Sequence, residues 1–237
     1  KKVDRTFWGL VRRADEKPIE IDGQAYTGDD VRSMMRGAVF SVKSGTELVV
    51  ELKKAAAGEP ASAKKFPAAE TVPASFWTVV CNDNSAAWSR DPESYRRDAI
   101  ADKGRYPLFG DFASSVKPCA FWDRSAEPAT VVNNKVGSLV VQNEWDSQTP
   151  LPSGQALHTD LKGSKMLTVL GGEGHGVYPS GNACTDGKVT DYLTTGKLPA
   201  KDVTCKATAG SNADAREHRK RDVLPGAPLP QRSPDRF

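Results

Sequence analysis

The 237-residue chain predicts an α/β fold in which a helical first part precedes a short parallel sheet. Gly137-Ser-Leu-Val-Val-Gln142 and Lys165-Met-Leu-Thr-Val-Leu170 are continuous apolar runs of the kind that form strands buried on both faces. The stretch Pro152–Leu161 between them reads as a helix. A strand-helix-strand unit forces its two strands parallel and puts active groups at their C-terminal ends. Upstream, the apolar residues recur at helical spacing instead.

In chain order, Asp4–Asp15 carries Phe7, Trp8, Leu10 and Val11 on one helical face, and Pro18 stops it. Thr27-Gly-Asp-Asp30 resembles a capping box, and Val31, Met34, Met35, Ala38 and Val39 follow as an apolar stripe. That stripe reads as core packing in preference to the wall of a substrate groove. A third helix runs from about Thr46 through Leu48, Val49 and Leu52 to Ala57, where Gly58-Glu-Pro60 ends it. Residues 61–75, rich in Ala, Pro and Lys, form a connector, and Phe76–Cys81 is a β-favouring run. Asp91-Pro-Glu-Ser94 opens another helix. Tyr106–Pro128 is irregular and aromatic around Cys119, suited to a disulfide-pinned wall or a binding surface. Gly187–Tyr192 starts a last short helix. After Cys205 the periodic apolar face disappears, and the four-residue cluster His218–Arg221 sits in a stretch expected to be disordered.

Composition narrows the function classes. Lys and Arg total 33 against 30 Asp and Glu, a formal charge of +3. Residues 206–237 hold seven Lys/Arg and four Asp/Glu, so this tail carries the whole excess and residues 1–205 balance. A nucleic-acid partner is not expected, because phosphate recognition needs a cationic face. No apolar run reaches the roughly 18 residues of a spanning helix, so no membrane partner is expected either. No signal peptide is visible at Lys1, and any export signal is expected upstream of it.

The four cysteines, Cys81, Cys119, Cys184 and Cys205, include no C-x-x-C pair and none lies three to five residues from a histidine. Structural zinc is therefore not expected, and no metal or other cofactor is assigned. Two sequential disulfides, Cys81 to Cys119 and Cys184 to Cys205, are the economical connectivity and would indicate an oxidising compartment. Four buried thiols in a reducing compartment remain the other reading.

The chemistry lies at the strand ends. The first strand runs into Asn143-Glu-Trp-Asp146 and then Ser-Gln-Thr-Pro150, and the second into Gly171-Gly-Glu-Gly-His175-Gly. Asp146 before His175 is the acid-then-base order of an α/β Ser-Asp-His triad. A histidine base must reach a hydroxyl through Nε2 while a carboxylate holds its Nδ1 proton, so the two loops must be neighbours. The competing reading makes Asp146 a turn-former and His175 an ordinary loop residue. His158, mid-helix, and His218, in the tail, are not candidates.

The runs VVQNEWDSQTPLPSGQAL, VLGGEGHGVYPSGNAC and DYLTTGKLPAKDVTC resemble the C-terminal region of secreted actinobacterial tripeptidyl aminopeptidases, serine peptidases of the α/β-hydrolase fold. DGQAYTGDDVRSMMRGAVFS and TVVCNDN resemble that family's helical lid, so the likeness covers roughly residues 18–205. It implies a helical lid plus the last two parallel strands of the hydrolase core with flanking helices. It also implies Asp146 as triad acid, His175 as triad base, and two disulfides in the pairing above. The glycine expected a few residues before the acid is Asn143 here. The expected organisation is a lid over 1–128, the C-terminal part of the core over 129–205 and, from composition alone, a disordered basic tail over 206–237.

No Gly-x-Ser-x-Gly or Gly-x-Cys-x-Gly motif occurs in the 237 residues. The resemblance therefore implies the later part of a hydrolase, inactive alone for want of a nucleophile and oxyanion donors. Its sheet is expected to leave an unpaired edge and to need the N-terminal half as the same or a separate chain. The expected function is part of a secreted serine exopeptidase acting on peptides with a free N-terminus. Asp83, beside Cys81, is a candidate anchor for that ammonium, although a turn-forming role in Cys81-Asn-Asp-Asn84 is the preferred reading. The alternatives are a non-catalytic peptide-binding relative and an esterase-type hydrolase.

Overall fold

The computed structural model describes residues 2–62, 74–128, 130–132 and 134–208. Most of the connector expected at 61–75, and residues 209–237 of the tail expected over 206–237, lie outside the described residues, whereas Lys206 is not disordered but ends a strand. The chain divides into two compact units, Lys1–Val39 with Lys43–Val131 and Phe40–Val42 with Val132–Phe237.

The first unit is built mainly of helices. Helix α1 (Lys2–Glu16) buries Phe7, Leu10 and Val11 of the expected face together with Ala14, while Trp8 is half-buried. A hairpin that helical spacing did not reveal follows: β1 (Ile19–Ile21) pairs antiparallel with β2 (Gln24–Tyr26). Its two-residue turn is Asp22-Gly23, at φ 52° and 78°, the left-handed pair that suits a type I′ turn. Strands of three residues are too short for alternation to show.

Helix α2 (Gly28–Ala38) starts with the expected capping box. Asp30 N donates to Thr27 Oγ1 at 3.3 Å and Thr27 N donates to Asp30 Oδ2 at 2.8 Å. With α3 (Val42–Ala56) it completes a core in which Val31, Met34, Leu48 and Leu52 are buried, so the methionine pair is packing.

Phe76–Cys81 is not a strand. It lies inside helix α4 (Ala74–Asp83), where Cys81 is buried and Val80 O accepts from Trp88 Nε1 at 3.1 Å. A short apolar run carries no period, so burial alone cannot tell strand from helix. Helix α5 (Pro92–Arg105) opens on Pro92, with Asp91 Oδ1 accepting from Glu93 N at 3.0 Å. The aromatic stretch holds a short helix, α6 (Gly110–Ser114), and a 3₁₀ turn at Pro118–Ala120. Cys119 in that turn is bonded to Cys81. Buried Arg32 pairs with Asp111 and stacks over Trp8 and Phe112, which satisfies a charge that would otherwise be costly to bury.

The second unit carries the sheet. Strands β3 (Leu139–Trp145), β4 (Lys165–Glu173) and β5 (Val203–Lys206) are parallel, in the order β3-β4-β5. Helix α7 (Leu151–Asp160) connects β3 to β4, and α8 (Ala183–Thr195) connects β4 to β5. The expectation of two strands is corrected to three. In β5 only Val203 and Cys205 are apolar, too little to register as a buried run. Helix α8 begins at Ala183 because Asn182 Oδ1 accepts from Cys184 N and Thr185 N, at 3.1 and 3.3 Å. Leu167, Val169, Val177, Val189 and Cys205 form the core of this unit. Cys184 and Cys205 are bonded, and with no free cysteine left the thiol reading is excluded. Among the described residues no strand pairs with the outer edge of β3, and no helix is long and apolar enough to cross a membrane.

Candidate active site

Asp146 and His175 follow the C-terminal ends of β3 and β4, and the parallel pairing of these strands brings them together. His175 Nδ1 lies 3.0 Å from Asp146 Oδ2 and 3.2 Å from Oδ1. The carboxylate is nearly enclosed, its side chain 4% exposed, whereas the imidazole is 38% exposed. Among the described residues nothing hydrogen-bonds Nε2. The His175 backbone N–H donates to Phe40 O at 2.9 Å, and the Phe40 ring meets the imidazole edge-on at 5.4 Å.

Asp146 is also the turn-former of the competing reading, and one carboxylate performs both tasks. Oδ1 accepts from Gln148 N at 2.7 Å and Thr149 N at 3.0 Å, while Oδ2 accepts from Thr149 Oγ1 at 3.0 Å and faces the histidine. Burial by itself would push the Asp146 carboxyl upward. The Thr149 and Gln148 amides, His175 and the Thr149 hydroxyl outweigh it and hold the carboxyl below its ordinary value. An ionised Asp146 fixes the histidine proton on Nδ1 and leaves Nε2 as the basic nitrogen.

The turn carrying His175 is shaped by glycines at positive φ, Gly174 at 80° and Gly176 at 92°. Between Asn143 and Trp145 the β3–β4 register shifts, from Asn143 opposite Val169 to Trp145 opposite Glu173. Buried Asn143 spans that irregularity. Its Nδ2 donates to Gly174 O at 3.1 Å and Gly176 O at 3.2 Å, with Glu173 O at 3.5 Å. Thr149 and Phe40 are the neighbours of the pair that sequence reasoning did not single out. The Asp-x-x-Thr spacing, a common side-chain-capped turn, could have indicated Thr149.

A second serine, histidine and carboxylate meet at the opposite end of this sheet. His158 Nδ1 lies 2.6 Å from Ser164 Oγ and Nε2 lies 3.3 Å from Asp202 Oδ2. Ser164 is buried, and its hydroxyl donates to Leu161 O at 2.7 Å. His158 is thus the satisfied structural residue that its place in α7 suggests. Asp83 is the exposed last residue of α4, in the helical unit. No group of three or more His, Cys, Asp or Glu among the described residues is placed to hold a metal ion.

Comparison with known proteins adds the lineage. Residues 106–205 match the family model described as TAP-like protein. The chain is 32% identical over 181 residues to a tripeptidyl aminopeptidase of Streptomyces lividans, an alignment covering 70% of this chain and 31% of that protein. A tripeptidyl aminopeptidase of Streptomyces coelicolor (strain ATCC BAA-471 / A3(2) / M145) gives the same identity and coverage. The chain thus spans 31% of the length of these curated relatives. With its parallel sheet and flanking helices, the chain is similar to a C-terminal region of tripeptidyl aminopeptidases, and its residues 106–205 carry the TAP-like match.

Proposed function

We propose that this chain supplies the acid and base of a secreted serine exopeptidase that releases short peptides from substrate N-termini. The observation that carries the reading is a buried carboxylate on His175 Nδ1 at 3.0 Å, with Nε2 unbonded among the described residues. In this mechanism a serine hydroxyl, contributed by a segment outside these residues, attacks the peptide carbonyl. His175 Nε2 takes the hydroxyl proton and returns it to the leaving amine, while Asp146 fixes the tautomer and stabilises the imidazolium. On this reading the 237 residues alone do not turn over substrate, and the nucleophile-bearing half is the required partner. The helical unit acts as the lid, with Asp83 as candidate anchor for the free ammonium. Two disulfides fit an oxidising, extracellular setting.

The test is labelling of the natural polypeptide that carries this chain with a serine-directed fluorophosphonate, beside release of tripeptides from a free N-terminus. Labelling abolished by His175→Ala is expected. Peptide affinity without labelling would overturn the peptidase reading in favour of a binding protein. Turnover of short acyl esters but not of aminoacyl peptides would move it to an esterase.

A further inference from the structure

Gln142 and Asn143 are consecutive residues of β3, so their side chains leave opposite faces of the strand. Each is buried, and each is seated against a glycine. A Cβ at Gly154 would come within 2.5 Å of Gln142 Oε1, and one at Gly172 within 2.3 Å of Asn143 Oδ1. Substituting either glycine would displace the amide beside it. The two amides reach the two loops of the candidate site. Gln142 Nε2 donates to Thr149 O at 2.8 Å and to Asn143 O at 3.0 Å. Thr149 in turn holds Asp146 through its amide and its hydroxyl. The Asn143 amide bonds the carbonyls on both sides of His175, those of Gly174 and Gly176.

We propose that Gln142 and Asn143 are positioning residues for the Asp146–His175 pair, Gln142 holding the acid's turn and Asn143 the base's turn. The chemistry at position 143 is specific. The side chain faces carbonyl oxygens, so its NH2 end must point at them, and the two protons of a primary amide match the two close acceptors. A carboxylate there would set lone pairs against lone pairs. A glycine would leave the turn, already free to bend at Gly174 and Gly176, without its two tethers. A buried polar network whose members are satisfied is rigid, which is what a base aimed at a distant hydroxyl needs. The kinetic consequence rests on the acid–base reading of Asp146 and His175, whereas the geometric part does not.

The test uses the natural polypeptide that carries this chain, labelled with ¹⁵N-histidine, with the His175 signals assigned by their loss in His175→Gln. NMR follows the His175 ring nitrogens through a pH titration and measures solvent exchange of the Nδ1 proton shared with Asp146. Asn143→Gly and Gln142→Met are expected to speed that exchange by roughly fivefold to tenfold, the worth of one net hydrogen bond, and to shift the titration. Asn182→Ala, which removes the cap of α8 and lowers stability elsewhere, is the control expected to leave both readouts in place. Unchanged exchange and titration in both β3 variants would overturn the proposal, as would equal changes in Asn182→Ala. Should Asn143→Gly fail to fold, Gln142→Met decides by the same criteria. Altered NMR readouts in a chain whose complete polypeptide shows no hydrolase activity would uphold the positioning role and sink the peptidase reading.

Discussion

At the C-terminal edge of the sheet, His175 meets a buried carboxylate through Nδ1, and among the described residues its Nε2 is unbonded. At the N-terminal edge, His158 engages both ring nitrogens, one on Ser164 and one on Asp202. By residue type the second cluster looks more like a triad, since it includes a serine. Its geometry points the other way. Ser164 is 4% exposed, with Leu161 O, His158 O and His158 Nδ1 all within hydrogen-bond distance of its hydroxyl, so a substrate carbonyl has no access to it. Asp202 is 57% exposed and is held chiefly by the Met166 amide, whereas the Asp146 side chain is 4% exposed. A base needs one nitrogen held and one available, and only the C-terminal edge provides that. Parallel strands also place loops of different origin side by side at that edge, so it can collect groups far apart in sequence.

The sharpest way to break this comparison is kinetic. In the natural polypeptide that carries the chain, His175→Gln and Asp146→Asn are expected to lower kcat/KM by about 10⁴-fold or more, with His158→Gln within about threefold of the parent. Steady-state kinetics on a tripeptide substrate checks this, and an equal loss for His158→Gln would erase the distinction between the edges.

Stability sharpens it next. The Cys184–Cys205 bond joins α8 to β5 across a separation of 21 residues, and in the chain-entropy model its loss costs about 3 kcal/mol. For Cys81–Cys119, separated by 38 residues, the same model gives about 4 kcal/mol. Denaturant melts of paired Cys→Ser variants measure both. The N-terminal cluster is expected to be worth less, about 1 kcal/mol for His158→Gln, because its carboxylate is largely in water.

The smallest expected effect is on acid stability. Asp146 and Asp202 both titrate below their ordinary values: Asp146 because amide, imidazole and hydroxyl donors overcome its burial, Asp202 mainly because it accepts from Met166 N. Lowered values favour the folded state above the ordinary carboxylate range, and that stability is lost as pH falls through the lower native values. Asp146→Asn should therefore flatten the acid limb of a stability–pH curve. A limb unchanged in Asp146→Asn would mean that the carboxylate is not held in the way described.

Much of this is legible in the sequence for identifiable reasons. The face of α1, the Thr27–Asp30 capping box and the two long strands each carry a local signal that spans enough residues to be read. Asp146 and His175 stood out through their loops, and four cysteines suggested their own pairing. The missed elements lack such signals. The Asp22-Gly23 hairpin and β5 are too short for a period, and the apolar run in α4 has none. Asn143 was visible only as an unexpected residue near the acid, because a side chain that bonds carbonyls some thirty positions away leaves no local pattern.

The sequence by itself determined the periodic elements, the strand ends on which an acid and a base would sit, and the lineage carried by its ordered motifs. Tertiary structure decided which histidine keeps a nitrogen free, that Asp146 serves both turn and imidazole, and that two adjacent amides brace the two loops. The physical reason is range. Propensity and periodicity act between residues a few positions apart, whereas hydrogen-bond partners and solvent exposure depend on which distant segments the fold brings within about 3 Å of each other.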